Sequence, residues 1–191
     1  MYELRRESIV MHTFLFSGVH GVGKGFFLQK VKNSLQQYNV YTASALIERY
    51  QSSTDAGYKR VHDVNKNQNI LVKAIAEIKM NSENDLILDG HLCILNAEGG
   101  IERVPESFFR KTQIMGIILL QDEPCRIFDR IKKRDDNQIS VQNIERMQEE
   151  ELKYAEELNV KLQIKHVIIT HECTEKQFEK QIREIGGDSF E

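Results

Sequence analysis

The sequence predicts an α/β fold in which a parallel sheet is covered by helices on both faces. Two observations predict it. Apolar runs of strand length alternate along the chain with segments of helical periodicity, which is typical of right-handed βαβ units. A glycine-rich turn also lies directly between the first predicted strand and the first predicted helix. In open sheets of this kind, ligands bind at the carboxyl ends of the strands.

Each element has its own signal in the sequence. The predicted strands are the apolar runs Met11–Phe16, Asn39–Ala43, Asp85–Leu88, Ile114–Leu120 and Ile164–Thr170. One helix face is predicted from the spacing of Phe27, Val31, Leu35 and Tyr38. A longer helix is predicted from Val64, Leu71, Ile75 and Ile78. Pro124 opens the helix after the fourth strand, and Lys176–Ile185 is the last helix.

Composition limits the classes of function. The chain has 191 residues, with 26 Lys and Arg against 29 Asp and Glu, for a net charge of −3. This balance disfavours both a nucleic-acid partner and a polybasic membrane binder. No run approaches the ~20 apolar residues that span a bilayer. The cysteines, Cys93, Cys125 and Cys173, form no CxxC pair, so we expect no disulfide framework or zinc site and a cytoplasmic location.

We expect one domain over residues 1–191. Residues 1–10 precede the first strand, and we expect them to be a dispensable extension. Residues 44–70 are polar and interrupt the alternation of strands and helices, which indicates an excursion from the sheet. Lys132–Ser140 is a charged break between two predicted helices.

The strongest motif is a glycine-rich loop that fits G-x-x-x-x-G-K, the Walker A pattern. The loop consists of Gly18, Val19, His20, Gly21, Val22, Gly23, Lys24 and Gly25. Glycines allow positive φ and bring backbone N–H groups close to phosphate oxygens. Lys24 is in register to contact the terminal phosphates of a nucleotide. A plain glycine-rich turn with a solvated lysine is the alternative.

The loop departs from the standard pattern after its lysine. Gly25 and Phe26 stand where Ser or Thr usually supplies a hydroxyl for magnesium. We therefore expect Mg²⁺ to be held through waters, a carboxylate and the phosphates, which suits this strongly hydrated ion. The departure also leaves open a loop that binds nucleotide with little turnover.

Asp89-Gly90-His91 follows a buried strand. Asp89, at the carboxyl end of that strand, could orient a magnesium-bound water beside the phosphates that Lys24 contacts. His91 could contact the transferred phosphoryl group or its acceptor. The alternative for Asp89 is an Asp-Gly turn, and for His91 a polar loop residue.

Arg126, Arg130 and Arg134 are spaced to share one helix face. Guanidinium groups suit the charge on a transferring phosphoryl group, so we expect Arg130 and Arg134 above all to act there. The alternative is a solvated face with Asp122 and Asp129 as partners. The acidic stretch Gln148–Glu157 is interpreted as the solvated side of the next helix. Its inward face would be Ile144, Met147, Ala155 and Leu158.

Together these motifs resemble the adenylate-kinase-like nucleoside monophosphate kinases of the P-loop fold. The closest likeness is to archaeal-type adenylate kinases and the related small kinases of ribosome assembly. The phosphate loop is similar to their G-x-P-G-V-G-K-G form, with His20 in place of Pro, and Asp89-Gly90-His91 matches their D-x-H. The spacing from His91 to Gly99 and Pro105, and the arginine helix, follow in the same order.

The resemblance implies a three-layer P-loop fold with a five-stranded parallel sheet. It also implies an acceptor-side excursion near residues 44–70 and a lid near 132–142. The implied reaction is Mg²⁺-dependent transfer of the γ-phosphoryl group of ATP to a nucleoside monophosphate or a similar small acceptor. The arginine of the bacterial-type Asp-Gly-Phe-Pro-Arg pattern is missing, and Arg49 or Arg60 could replace it. A polar surface helix pair is the alternative for the excursion.

Two functions from different classes follow. The first is a phosphotransferase in which Lys24, Asp89, His91, Arg130 and Arg134 surround the reacting phosphates. The second is a regulatory module that binds ATP, hydrolyses it slowly and acts on a protein partner. Phe26 and the missing acceptor arginine motivate the second hypothesis. A structural scaffold that binds no nucleotide is the remaining alternative.

Overall fold

The computed structural model describes residues 11–52, 64–96, 98–134 and 139–187. In chain order the elements are β1 (Thr13–Ser17), α1 (Lys24–Lys30), β2 (Tyr38–Thr42), α2 (Ala43–Ser52), α3 (Val64–Asn81), β3 (Asp85–Asp89), β4 (Cys93–Leu95), β5 (Ile101–Arg103), α4 (Glu106–Thr112), β6 (Ile114–Leu120), α5 (Pro124–Arg134), α6 (Val141–Leu162), β7 (Lys165–Ile169) and α7 (Glu175–Gly186).

The main sheet has five parallel strands in the order β2-β3-β1-β6-β7, which confirms the predicted fold class. β1 lies at its centre, with β3 on one side and β6 on the other. Phe16 of β1 is in register with Asp89 of β3 and with Ile118 of β6. The loop that follows β1 and the Asp-Gly-His turn that follows β3 therefore emerge at the same edge of the sheet.

Hydrophobic cores cover both faces of the sheet. Alternate residues of a strand point to opposite faces, and β1 shows this directly. Phe14 and Phe16 pack with Phe27 of α1 and Phe178 of α7 on one face. Leu15 packs on the other face in a core whose buried members include Leu71, Ile75, Phe109, Ala155 and Leu158. The predicted covering of the sheet by helices on both faces is thus confirmed.

The first helix is shorter than its apolar spacing predicts. α1 ends at Lys30, and Tyr38 begins β2 instead of completing a helix face. The chain between them makes tight turns, in which the Ser34 amide donates to the Val31 carbonyl at 3.1 Å. The carboxylate of Glu175 also accepts from the Ser34 amide at 3.0 Å. This tertiary contact competes with continued helix, although Val31 remains buried as predicted.

A hairpin and a helix between β3 and β6 escaped prediction. The three-residue strands β4 and β5 pair antiparallel, and α4 follows them. Strands of this length contain too few residues to display a period. Arg103 fastens the hairpin to α6 through Glu150 at 2.6 Å and Glu157 at 2.8 Å.

The polar excursion contains two helices that pack on one another. The Tyr50 hydroxyl of α2 donates to the Glu77 carboxylate of α3 at 2.7 Å, and Leu46 is buried. The described part of the segment at 44–70 is therefore a helix pair. The extension at 1–10, Arg60 and residues 135–138 of the expected lid lie outside the described residues. Among the helices that are described, none is long and apolar enough to cross a membrane.

Candidate nucleotide site

The glycine-rich loop joins β1 to α1 and has a backbone that only glycine accommodates easily. Gly21 has φ of 81° and Gly23 has φ of 99°. A Cβ atom on Gly21 would lie 2.4 Å from Cγ1 of Ile131, and one on Gly23 would lie 2.9 Å from Cε1 of His171. The loop therefore requires glycine at both positions for conformation and for space.

Lys24 connects the loop to the end of β3. Its ammonium donates to the Gly18 carbonyl at 2.9 Å and lies 3.8 Å from the Asp89 carboxylate. Its Nζ is also 3.4 Å from Nε2 of His91. Burial lowers the pKa of Lys24, whereas the carboxylates of Asp89 and Glu151 raise it. Lys24 thus lies next to both Asp89 and His91, two residues that the sequence nominated separately from the loop.

The same surroundings perturb Asp89 and His91. Burial raises the pKa of Asp89, although the charge of Lys24 opposes that shift. Burial, together with the charge of Lys24, lowers the pKa of His91 to about 3. His91 is therefore neutral at pH 7 and presents one ring nitrogen as a hydrogen-bond acceptor to the Lys24 ammonium.

Glu151 of α6 is a buried carboxylate near Lys24, although the sequence predicts that it lies on the solvated side of its helix. Glu151 is only 1% exposed, so the interpretation of Gln148–Glu157 as a purely solvated side is incorrect. Its Oε1 accepts from the Ser17 hydroxyl at 3.0 Å and from the Leu92 amide at 3.0 Å. Its Oε2 is buried and has no hydrogen-bond partner within the described part of the chain. Burial raises the pKa of Glu151, and the hydrogen bonds and Lys24 oppose that shift.

The sequence does contain a signal for Glu151. It lies on the helix face defined by the inward residues, all of which are buried: Ile144, Met147, Ala155 and Leu158. Glu151 lies four residues after Met147 and four residues before Ala155, which places it on the same face. An acidic side chain on an apolar face must find partners or shift its protonation, and such residues mark candidate sites.

The three arginines of α5 have different surroundings. Arg130 donates to the Val22 carbonyl at 2.9 Å and is hydrogen-bonded to Asp122, and Arg134 contacts His20 of the loop. Arg126 is 61% exposed and pairs with Asp122 and Glu123. The solvated-face alternative therefore describes Arg126, whereas Arg130 and Arg134 face the loop.

These groups surround a cavity of about 540 Å³, a size that suits a small ligand. The described residues that line it are Val19, His20, Gly21, Gly23, Lys24, Gly25, Phe26, Thr42, Ala43, Ser44, Asp89, Gly90, His91, Arg130 and Arg134. Thr42 and Ser44, at the end of β2 and the start of α2, were not predicted. Arg49 is not among the lining residues, and its guanidinium lies 5.9 Å from the Tyr50 ring.

Two aromatic residues, Phe26 and His171, lie next to each other beside the loop. Phe26 is 73% exposed at the start of α1, so its ring faces solvent beside the loop. Its ring centroid lies 6.1 Å from that of His171, which follows β7. His171 was not predicted, although its position at the carboxyl end of a strand is the available signal.

The residues present fit a nucleotide and a hydrated magnesium ion. The loop has no space for side chains at Gly21 and Gly23, and it presents the ammonium of Lys24 toward the cavity. Within the described ranges, no group of three or more His, Cys, Asp and Glu side chains could hold a metal. Mg²⁺ needs only one or two carboxylates when phosphates and waters complete its shell, and Asp89, which lines the cavity, could supply one.

A known protein family matches the part of the chain that contains the site. A family model described as an AAA domain matches residues 17–148, which include the phosphate loop, β3 and α5. No curated protein matches the chain.

Solved structures share its fold. A tunicamycin resistance protein of Deinococcus radiodurans superposes with a TM-score of 0.62 at 14% identity, covering 94% of this chain and 98% of that one. A sugar kinase of Janibacter sp. HTCC2649 gives 0.50 at 13% identity, covering 92% and 94%. A gluconokinase of Sinorhizobium meliloti 1021 gives 0.49 at 12% identity, covering 91% and 90%. The family match, the superposition on the tunicamycin resistance protein and the five-stranded parallel sheet together show a P-loop NTPase fold.

Proposed function

This chain belongs to the AAA domain family, and on that premise we propose that it is an ATP-dependent phosphotransferase with a small acceptor. The observation that carries the proposal is the convergence of Lys24, Asp89 and His91 beside the phosphate loop. We further propose that the acceptor is a nucleoside monophosphate or a similar small molecule. The glycine-rich loop is the evidence for a bound nucleotide. The resemblance to adenylate-kinase-like enzymes is the evidence for a nucleoside monophosphate as the acceptor.

When bound, ATP supplies the phosphoryl group and Mg²⁺ neutralises part of its charge. The protein's contribution is position and electrostatics. The Gly18 carbonyl and the Asp89 carboxylate hold the Lys24 ammonium, so that little reorganisation is needed when it contacts phosphate. Asp89 would hold magnesium through water. His91 is neutral and contacts the transferred group or the acceptor without adding charge.

Arg130 and Arg134 supply positive charge to the same cavity from α5. Arg130 is positioned by Asp122, and Arg134 lies against His20 of the loop. Guanidinium groups suit the charge that spreads over phosphoryl oxygens during transfer. We propose that both close over the phosphates from the arginine helix, with residues 132–142 as the lid.

The acceptor would enter beside the short side chains of Thr42 and Ser44, which line the other part of the cavity. Arg49 is not among the described residues that line the cavity, and its role in binding the acceptor stays a proposal. Arg60 retains its proposed role as the acceptor's phosphate ligand.

The enzyme assay offers Mg-ATP together with each of a panel of acceptors. Nucleoside monophosphates form one arm, and small polyhydroxylated compounds form the other. We expect ADP and a phosphorylated acceptor in one arm, with at least a hundredfold loss in Lys24→Ala because the variant lacks the phosphate contact. Absence of transfer above that variant in both arms would contradict the proposal.

A second function is favoured by Phe26, whose exposed ring replaces a hydroxyl at the loop. We propose, as the alternative, a regulatory module that hydrolyses ATP slowly and acts on a protein partner. Slow hydrolysis without any acceptor, together with an ATP-dependent change in affinity for a co-purified protein, would support it. Equal affinity with and without ATP would contradict it.

We propose a cytoplasmic location for either function. Cys93, Cys125 and Cys173 are all free thiols in the structure. Free cysteines, one of them exposed, are typical of proteins kept in a reducing compartment. Fractionation of cells that contain the tagged chain would test this proposal, and recovery outside the cytoplasmic fraction would contradict it.

A further inference from the structure

We infer that His171 is a positioning residue that fixes the Val22–Gly23 peptide of the loop, so that the Gly23 amide faces bound phosphate. This inference rests on the proposed function, since it assumes that the loop binds a nucleotide. It adds a residue from the far end of the chain, beyond β7, to the phosphate site. His171 lies outside residues 17–148, the part of the chain that the family model matches.

Two donors converge on the carbonyl of Val22. Nε2 of His171 lies 2.6 Å from that oxygen, and Nη1 of Arg130 lies 2.9 Å from it. Because a carbonyl oxygen can only accept, Nε2 of His171 must carry the hydrogen. Among the described residues, Nδ1 of the same ring is buried without a hydrogen-bond partner. Nε2 also lies 3.9 Å from the Asp122 carboxylate, so its hydrogen bond to the loop is the shortest polar contact of the ring.

Peptide geometry transmits this contact to the cavity. The peptide bond is planar, and in its trans form the C=O and N–H groups point in opposite directions. The structure contains no cis peptide among its described residues. Holding the Val22 carbonyl toward His171 and Arg130 therefore directs the Gly23 amide the opposite way. Gly23 lines the cavity, where backbone amides of such loops contact nucleotide phosphates.

Steric fit links the same two residues a second time. A Cβ on Gly23 would lie 2.9 Å from Cε1 and 3.1 Å from Nε2 of His171. The imidazole thus occupies the space that a side chain at position 23 would need. This explains in part why the loop needs glycine there, since φ at Gly23 is 99° as well.

His171 is itself held firmly against the first helix. The ammonium of Lys30 donates to the carbonyls of His171 at 2.6 Å and Cys173 at 3.0 Å. The imidazole also packs edge-on against Phe27, with centroids 6.3 Å apart. Because His171 is packed in place, its hydrogen bond can hold the Val22–Gly23 peptide in one orientation, which a mobile side chain could not do.

The test compares three variants with the wild type. His171→Leu removes the N–H and keeps an apolar side chain against Phe27. His171→Gln keeps a donor near the position of Nε2. His12→Leu is the matched control, because His12 lies at the opposite end of β1 and pairs with Asp85. ADP and inorganic pyrophosphate are titrated into each variant by calorimetry, and thermal unfolding is measured without ligand.

We expect His171→Leu to weaken the binding of both probes about tenfold. That is the typical effect of losing one hydrogen bond that orients a loop around a charged ligand. His171→Gln should recover most of that loss, and His12→Leu should bind as the wild type does. The amide resonance of Gly23 should shift on addition of ADP in the wild type and shift less in His171→Leu. A merely structural role would lower the unfolding temperature without changing affinity.

The possible failures are distinguishable. If the wild type binds ADP and His171→Leu binds it equally well, the inference is overturned while the proposed function stands. If His171→Gln is as weak as His171→Leu, the donated hydrogen bond is not the cause and the inference is also overturned. If the wild type binds neither probe, the proposed function fails and this inference fails with it.

Discussion

The two walls of the cavity differ in how they are built. On the loop wall, Lys24 and Arg130 each make several polar contacts, and Gly21 and Gly23 have no room for a side chain. On the wall formed by Thr42, Ala43 and Ser44, the side chains are short and uncharged. Among the described residues, Thr42 Oγ1 accepts only local hydrogen bonds, from the Ala45 amide at 3.3 Å and the Ser44 hydroxyl at 3.5 Å.

This contrast separates two chemical tasks. Binding a polyphosphate requires fixed donors and positive charge, and the loop wall supplies both before any ligand arrives. The wall of short side chains supplies space and hydroxyl groups, which suit acceptors of more than one kind. We therefore expect substitutions in the loop wall to weaken nucleotide binding and lower stability. Substitutions in the wall of Thr42, Ala43 and Ser44, called the acceptor wall below, should change the selectivity for the acceptor.

The largest effect is expected from Gly21→Val. The new side chain would collide with Ile131 and force a β-branched residue to adopt φ of 81°. We expect ADP binding to be lost and stability to fall by about 2–4 kcal/mol. Urea unfolding and calorimetry measure the two effects.

The matched control is Gly25→Ala, because no atom lies within 4 Å of a Cβ at that position. Gly25 lies within α1, where alanine is favoured over glycine. Its free energy of unfolding should stay equal or rise by up to about 1 kcal/mol. Equal stability of the Gly21→Val variant and the wild type would show that the loop wall is not rigid.

The next effect is expected at Glu151, beneath the loop wall. Glu151→Ala leaves the Ser17 hydroxyl and the Leu92 amide without their carboxylate partner, so we expect a loss of about 2–4 kcal/mol. Glu151→Gln keeps an acceptor for both donors and should lose less. Urea unfolding of the two variants side by side tests this ranking, and a Gln variant as unstable as the Ala variant would contradict it.

Stability should also depend on pH through the same carboxyl. Burial raises the pKa of Glu151 above the ordinary value of 4.5, so the folded state binds its proton more tightly than the unfolded state. As pH rises from 4.5 through the raised pKa, the wild type should lose stability relative to Glu151→Gln, by at most about 1.4 kcal/mol per pH unit. Urea unfolding at a series of pH values measures this difference, and a constant difference would contradict the account.

The smallest effects are expected on the acceptor wall. Thr42→Val and Ser44→Ala each remove one hydroxyl from the cavity, and we expect the KM of the acceptor to change by about tenfold or less. The affinity for ADP should remain that of the wild type. Steady-state kinetics on the accepted substrate, with calorimetry on ADP, checks both halves. A loss of ADP affinity equal to that of a loop variant would remove the contrast between the walls.

Local sequence predicted the parts of the site that depend on neighbours along the chain. The glycine-rich loop and Lys24 form a contiguous motif, and Asp89 ends a strand of recognisable apolar character. Both appear at one sheet edge because β1 and β3 are adjacent and parallel. The five-stranded sheet followed from the same alternation of strands and helices, since long apolar runs give a clear period.

The remaining parts depend on contacts between distant segments. Glu151 lies 134 positions from Ser17, and His171 lies 149 positions from Val22. Neither pairing follows from spacing along the chain. The end of α1 is a similar case. The Ser34 amide donates a hydrogen bond to Glu175, a distant residue, and local helix propensity cannot predict such a contact. The hairpin of β4 and β5 was missed because its strands are too short to show alternation.

The central claim is that the glycine-rich loop binds a nucleotide through Lys24, whose ammonium is held between the Gly18 carbonyl and Asp89. Calorimetric titration of Mg-ATP into the wild type and Lys24→Ala tests it most directly, with unfolding of both chains as the check on folding. We predict saturable binding by the wild type and at least a tenfold weaker affinity in the folded variant. Equal affinities, or no binding by the wild type, would contradict the claim.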